Sequence, residues 1–315
     1  MKEDMKQYLD SLTKLPKVTK DIIDLHNHTT TSDGTLSPQQ LIDFALQRGL
    51  KIIAITDHDT IDCLDWSLEY SKNKPIEIVP GIEFSCEEIA RGFDEVHILG
   101  LFIDPKNERL IERTKIIRKK RVERAREIIK KLQLLDYSIN FEEVEQGVGA
   151  SLGRPHIAKV LVEKYPEKFT NVSDIFSTLL GTGKPAFVPR GDKIKIEEAV
   201  SIIKEAGGIS SLAHPGVFNN EDVKELVKLF VDAGGQAIET NYPYDINIKN
   251  ITTERSYQKN QLSKKLAEEN NLLETGGSDF HGSIRKSFVG DCGVSSDNFQ
   301  KLKRKLQGAI KNGQN

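Results

Sequence analysis

The chain has 315 residues, of which 45 are basic and 47 acidic, so its formal net charge is −2. This balance excludes a basic coat over the whole protein but leaves room for a local basic patch, and the length is sufficient for a buried core. Three scattered cysteines exclude a disulfide framework and a cysteine-based zinc site. Residues 1–20 lack the apolar core of a secretory signal, and no stretch has the roughly 18–20 apolar residues of a membrane span, so we expect a cytoplasmic protein without membrane contact.

Short apolar runs along the chain predict seven β-strands, and helical patterns separate most of them. The predicted strands cover 22–25, 52–56, 76–79, 96–101, 209–213, 237–240 and 272–275. The predicted helices between them cover 38–49, 197–206, 221–233 and 257–270. Alternating strands and helices favour parallel βα units, so the sequence predicts an α/β fold.

Side chains that commonly bind metals follow the ends of these strands. They lie in five segments, namely DLHNHTTTSDG (24–34), TDHDT (56–60), GIEFS (81–85), AHPG (213–216) and SDFHG (278–282). Because the carboxyl ends of parallel strands meet on one face of a barrel, residues as distant as His26 and His281 can share a site. Histidine and carboxylate ligands together favour manganese, iron or zinc over calcium.

The sequence allows more specific predictions for several of these residues. His26 and His28 lie two residues apart on a strand and therefore point to the same side. Glu83 is the candidate to bridge two metals. Asp57 and Asp59 flank His58, and we expect them to orient its imidazole ring.

Two candidate ligands have an alternative interpretation. Asp33, in a Ser-Asp-Gly sequence before a predicted helix, is also typical of a turn or helix N-cap residue. His97 lies inside an apolar strand and is also compatible with a hydrogen-bonded core histidine. The acidic residues near His97 are alternative ligands at this place, namely Glu87, Glu88, Asp94 and Glu95.

The five segments resemble the motifs of the PHP (polymerase and histidinol phosphatase) family, and the resemblance covers about residues 20–290. It implies a distorted seven-stranded (β/α) barrel with two to three divalent metal ions, manganese first and iron or zinc as alternatives. The implied ligands are His26, His28, Glu83 and Asp279 for the first metal, Glu83, His97 and His214 for the second, and Asp33, His58 and His281 for the third.

Two further segments, GRPHIA (153–158) and GKPAFVPR (183–190), resemble one subfamily. It contains 3′,5′-nucleotide bisphosphate phosphatases and 5′-to-3′ exoribonucleases that act on short RNA. This subfamily carries a helical insertion, here 105–190, between barrel segments 21–104 and 191–300. Residues 1–20 would then form an N-terminal extension, and 301–315 a C-terminal helix and tail.

The predicted insertion carries a strong local charge. Residues 112–131 hold ten basic and three acidic side chains, and the apolar residues among them have helical spacing. The basic residues either form a solvated face that packs the insertion on the barrel or attract a polyanionic substrate. The candidates to bind a phosphate that does not react are Arg154, His156, Lys184 and Arg190. For His156 the alternative is a helix-capping or packing role.

These observations predict metal-dependent hydrolysis of nucleotide phosphate esters by a metal-bound hydroxide, with no catalytic residue beyond the metal ligands. The expected partner is a nucleoside 3′,5′-bisphosphate, which would lose its 3′-phosphate, or a short single-stranded 5′-phosphorylated RNA. No obligate protein partner is predicted. One alternative is a histidinol-phosphate or other small-molecule phosphatase on the same barrel. The other is an inactive metal-binding or RNA-binding scaffold, which loss of ligands would indicate.

Overall fold

The computed structural model describes residues 2–18, 21–146 and 149–312. The strands are β1 (Ile52–Ile55), β2 (Glu77–Glu88), β3 (Phe93–Leu101), β4 (Ile209–Leu212), β5 (Ala237–Asn241) and β6 (Leu273–Gly276). The helices are α1 (Lys2–Leu12), α2 (Pro38–Gln47), α3 (Leu64–Ser71), α4 (Glu108–Leu134), α5 (Phe141–Glu145), α6 (Arg154–Lys164), α7 (Val172–Ile175), α8 (Ile196–Glu205), α9 (Asn220–Asp232), α10 (Tyr244–Asn247), α11 (Thr253–Glu269) and α12 (Ser296–Asn312).

The six strands form one curled sheet in chain order. The pairs β1/β2, β4/β5 and β5/β6 are parallel, whereas β3 runs antiparallel to both β2 and β4. The prediction of parallel βα units is therefore wrong at β3. Only residues 89–92 connect β2 to β3, and such a short connection cannot make the crossover that parallel strands require. Gly92 has a positive φ of 84°, which lets the chain reverse there.

The predicted first strand, 22–25, is reduced to isolated bridges, so the sheet has six strands instead of the predicted seven. Ile23 bridges to Val294, and Asp24 bridges to Ile53 in β1. The backbone N–H of Leu25 donates to the carbonyl of Gly276 in β6. This segment therefore lies between the two edge strands of the curled sheet, with His26 and His28 next along the chain.

The core contains three hydrophobic clusters, of which two bear on the proposed insertion. The larger cluster packs α2, α8 and α9 against the sheet. A second cluster lies entirely within residues 125–188, which belong to the proposed insertion. Helix α4 connects the two, because Ile117 packs in the first cluster and Ile128 in the second. The helical spacing correctly places Ile129 inside, but Ile116 is exposed.

The N-terminal helix packs on the core, and a few residues of the chain lie outside the described ranges. Leu12, at the end of α1, is buried in the larger cluster. Parts of the predicted extension, insertion and tail, namely residues 1, 19–20, 147–148 and 313–315, lie outside the described residues. None of the helices described is long and apolar enough to cross a bilayer.

Candidate metal centre

The nine predicted ligands come from different elements and lie in one cluster. Glu83 projects from β2 and His97 from β3, and the others lie in loops or in the segment after Leu25. The buried members of the cluster are His26, His28, Glu83, Asp279 and His281, and the half-buried members are Asp33, His58, His97 and His214. The structure therefore brings together residues that are up to 255 positions apart in the sequence.

Glu83 lies at the centre of this cluster. Its two carboxylate oxygens lie 3.0–3.3 Å from ring nitrogens of His26, His28, His58, His97 and His214. Metal–ligand bonds of about 2.0–2.2 Å that meet at tetrahedral or octahedral angles place neighbouring ligand atoms about 3.0–3.5 Å apart. The spacing around Glu83 is therefore that of ligands around shared metal ions.

Four overlapping groups of side chains have metal-binding spacing. They are His26, His28 and Asp279; His26, Glu83 and His214; His58, Glu83 and His97; and His28, Asp33, His58 and His281. Within each group, one ligand atom from every residue lies within 4.8 Å of the others. The groups share His26, His28, His58 and Glu83. The donor set thus offers overlapping candidate metal sites that share ligands.

Several polar atoms of the cluster lack hydrogen-bond partners within the described part of the chain. They are His28 Nδ1, His58 Nδ1, Glu83 Oε2, His214 Nδ1 and His281 Nε2. A buried polar atom without a partner costs about 1–3 kcal/mol. In addition, His26 Nε2 lies 3.1 Å from His28 Nε2, an arrangement that needs a shared proton or a shared metal. These residues therefore fit divalent metal ions.

The electrostatics of the cluster favour cations. Burial raises the pKa of Glu83, but His58 and His97 outweigh burial and hold that pKa well below its usual value. Burial lowers the pKa of His26, but Glu239 and Glu83 outweigh it and raise the pKa to about 10. The carboxylates therefore hold a proton on His26 in the absence of metal, and metal binding there releases it.

Three residues that the sequence analysis missed hold the ligands in place. Glu239 accepts a hydrogen bond from His26 Nδ1 at 3.1 Å and another from the His214 backbone N–H at 2.6 Å. Tyr242 and Arg285 both donate to Asp279 Oδ2. Oδ1 of Asp279 is thereby left to face the ring nitrogens of His26 and His28. The available signal for Glu239 was an acidic residue inside the apolar strand 237–240.

Replacing Glu239 by Gln should weaken metal binding by about 10–100-fold, because the His26 ring loses the carboxylate that orients it and raises its basicity. Metal titration of the stripped protein, followed calorimetrically, measures this change. Glu274→Gln is the matched control, since Glu274 lies on the neighbouring strand β6 and accepts a hydrogen bond from Thr240. Equal metal affinities for wild type and Glu239→Gln would contradict the assigned role.

A cavity of about 130 Å³ lies beside the cluster, between the barrel and the proposed insertion. It is lined by Ser32, Asp33, His58, Ser85, Glu95, His97, Arg121, Arg124, Ser151, Gly153, Arg154, Pro155, His156 and Arg190. Among these, Arg121 and Arg190 form ion pairs with Asp59 and Asp192. The cavity is thus lined both by candidate metal ligands and by arginines.

Two arginines of this cavity have no carboxylate partner among the described residues. Arg124 donates to the Val188 carbonyl, and Arg154 donates to the Leu180 carbonyl at 3.1 Å. Burial lowers the pKa of Arg124 to about 10, and repulsion from Arg154 and Arg190 adds to this effect. An anion in the cavity would relieve this repulsion, so Arg124 and Arg154 form a candidate phosphate site.

The predicted phosphate-binding residues have different outcomes. Arg154 and Arg190 line the cavity. His156 also lines it, but Nδ1 accepts from the Gly153 N–H at 3.0 Å and Nε2 donates to the Ser32 carbonyl at 3.1 Å. Both ring nitrogens are therefore engaged, which favours the capping role. Lys184 is exposed and lies outside the residues that line the cavity, so its role stays a prediction.

Asp57 and Asp59, which were predicted to orient the His58 ring, make hydrogen bonds to other partners. Asp57 accepts hydrogen bonds from Thr29 and Ser32, and Asp59 accepts from Ser85. In the described part of the chain neither carboxylate hydrogen-bonds to the His58 ring. Asp57 instead holds the loop that carries Asp33, and Asp59 joins β2 to α4 through Arg121.

Part of the centre has an unusual backbone. His214, Asp279 and Asp59 have positive φ values of 29°, 51° and 55°. Side chains with a Cβ rarely adopt this conformation, which costs on the order of 1–3 kcal/mol at each position. All three lie in loops at the centre, where the surrounding hydrogen bonds hold the strained backbone.

Comparisons with known proteins agree with this geometry. A family model described as PHP domain matches residues 24–312. The chain is 33% identical over 263 residues to the 5′-3′ exoribonuclease of Haemophilus influenzae, covering 82% of this chain and 89% of the relative. It is 32% identical over 265 residues to the 3′,5′-nucleoside bisphosphate phosphatase of Chromobacterium violaceum, covering 82% and 87%. The solved structure of an amidohydrolase from Chromobacterium violaceum, with bound sulfate and no metal, is 30% identical with a TM-score of 0.75, covering 91% of this chain and 96% of the other.

Proposed function

Since this chain belongs to the PHP domain family and is a metal-dependent phosphoester hydrolase, we propose that its substrates are small nucleotides that carry a second phosphate. The preferred substrates are nucleoside 3′,5′-bisphosphates, which lose the 3′-phosphate, and short 5′-phosphorylated RNA. The names of the relatives from Haemophilus influenzae and Chromobacterium violaceum support this substrate class.

One observation carries the proposal: the same cavity is lined by candidate metal ligands and by arginines. His58, His97 and Asp33 face it from the metal centre, while Arg124 and Arg154 face it without carboxylate partners in the described chain. A monophosphate would contact only the metal centre. A substrate with two phosphates would contact the metal centre with one and the arginines with the other, so the second phosphate contributes binding energy that orients the reacting one.

The chemistry divides between the metals and the chain. Bound metal ions would lower the pKa of a water molecule and neutralise charge on the reacting phosphate. Glu83 and the surrounding histidines would hold those ions. Arg124 and Arg154 would bind the phosphate that does not react, while Asp59 and Asp192 keep Arg121 and Arg190 in place.

The test is phosphate release from a matched panel with added Mn²⁺, Fe²⁺ or Zn²⁺ and with chelator. The panel contains adenosine 3′,5′-bisphosphate, AMP, histidinol phosphate and a short 5′-phosphorylated RNA. We expect chelator-sensitive turnover of the bisphosphate or the RNA and much slower turnover of the other two. Turnover of histidinol phosphate alone would overturn the role given to the arginines. No turnover with any metal would overturn the proposed function and favour an inactive scaffold.

A further inference from the structure

A shallow groove lies outside the catalytic cavity, around the one tryptophan of the chain. Its volume is about 340 Å³, and it is lined by Ser37, Pro38, Gln39, Asp62, Cys63 and Trp66. The Trp66 side chain is 46% exposed, although tryptophan has the largest side chain and is usually buried for the most part. It stacks on Tyr70 with 4.7 Å between ring centroids and an interplanar angle of 15°. Tyr70 thus supports one face of the indole.

The groove adjoins the loops that carry the metal-ligand side chains. Its residues come from the start of α2 with the preceding Ser37, at the end of the loop that contains Asp33, and from α3 with the end of the loop after β1, which contains His58. Asp57 ties these loops together, because it accepts hydrogen bonds from Ser32 at 2.6 Å and from Cys63 at 3.3 Å. The groove is therefore built on the same framework as the metal centre.

Basic residues continue from the cavity to this groove along α4. Arg124 and Arg121 line the cavity, and Arg121 forms an ion pair with Asp59. Arg118 lies one turn earlier on the helix and forms an ion pair of 3.0 Å with Asp62, which lines the groove. Its side chain is more than half exposed, so it can contact a ligand while it remains close to Asp62.

We propose that the Trp66 groove binds the base of a further nucleotide when an oligoribonucleotide occupies the cavity, an inference that rests on the proposed function. Single-stranded nucleic acids bind by stacking bases on aromatic rings while cations contact the backbone, and Trp66 and Arg118 supply these two contacts. The continuity of arginines from the cavity matches a polyanion that extends from it. On this proposal a mononucleotide occupies the cavity alone.

The kinetic test compares two substrates in the variant Trp66→Ala. We expect kcat/KM for a 5′-phosphorylated tri-adenylate to fall by at least tenfold more than kcat/KM for adenosine 3′,5′-bisphosphate. Trp66→Phe should restore much of the loss, because it keeps an aromatic face. Tyr257→Ala is the matched control, since Tyr257 is 59% exposed on α11 and should change neither substrate. Equal losses for both substrates, or no loss, would overturn the proposal.

A second readout does not depend on turnover. Because Trp66 is the only tryptophan, its fluorescence reports the groove directly. A tri-adenylate with phosphorothioate linkages and a 5′-phosphate should quench it saturably, whereas adenosine 3′,5′-bisphosphate should leave it nearly unchanged. Binding of a labelled copy without quenching would overturn the groove assignment. Quenching in a protein that hydrolyses neither substrate would leave the groove standing and contradict only the proposed function.

Discussion

Replacing Glu83 by Gln should lower kcat/KM for phosphate release by on the order of 1,000-fold or more and reduce the metal content of the protein. Both Glu83 oxygens lie within 3.3 Å of histidine nitrogens, so the carboxylate is placed to bridge metal ions. The amide of Gln has one acceptor oxygen and no charge, and therefore cannot bridge. Elemental analysis after reconstitution, together with initial rates, measures both effects.

The control for this substitution lies on the same strand. Glu77 begins β2 and forms an ion pair with Lys303, which is not a member of the ligand cluster. Glu77→Gln should therefore keep the metal content and the rate of the wild type. If Glu83→Gln kept the wild-type metal stoichiometry and lost less than about tenfold in rate, the central position of Glu83 would have another purpose.

The cluster of candidate ligands was predictable because strand patterns and polar motifs coincide in the sequence. The run Ile52–Ile55 is apolar and β-branched, and it stops directly before the segment that contains His58. Strand β4 likewise ends shortly before His214, although two of its four residues are serines. Strand ends on one face of a curved sheet must converge, so a residue pattern alone was enough to place these side chains together.

Strand direction and charge pairing were not predictable in the same way. The apolar run that forms β3 looks identical in either direction, and only the short connection at 89–92 excludes a parallel arrangement. Arg121 and Arg124 lie on the same basic helix with the same local pattern, yet Arg121 is paired with Asp59 and Arg124 faces the cavity without a carboxylate in the described chain. That difference depends on tertiary contacts, which sequence spacing does not encode.

Loops also limited the sequence analysis. His156 is the third residue of α6, and only its contact with the Ser32 carbonyl shows that its ring joins the proposed insertion to the loop of Asp33. Arg285 lies in an irregular segment with no strand or helix pattern, so nothing in the sequence linked it to Asp279. Polar residues that act by holding other side chains are recognised from their contacts.

Arg154→Ala should lower kcat/KM for adenosine 3′,5′-bisphosphate by about 10- to 150-fold, because a charge-assisted hydrogen bond contributes about 1.5–3 kcal/mol. We expect much less change for AMP under the same conditions, since a monophosphate at the metal centre places no phosphate beside the arginines. The measurement is the ratio of the two kcat/KM values in wild type and variant. Arg154→Lys should recover part of the loss, because it keeps the charge but not the planar fork of donors.

The control for Arg154 is Lys184→Ala, which removes a cation from the exposed surface outside the cavity lining and should leave the ratio unchanged. If both variants lowered the rate equally, the effect would come from the general positive field around the insertion. If Arg154→Ala slowed both substrates equally, its hydrogen bond to the Leu180 carbonyl would matter more than phosphate binding. A selective loss in Arg154→Ala, with no loss in Lys184→Ala, therefore identifies a defined second phosphate site, because a diffuse field would respond to both substitutions and a folding defect would slow both substrates.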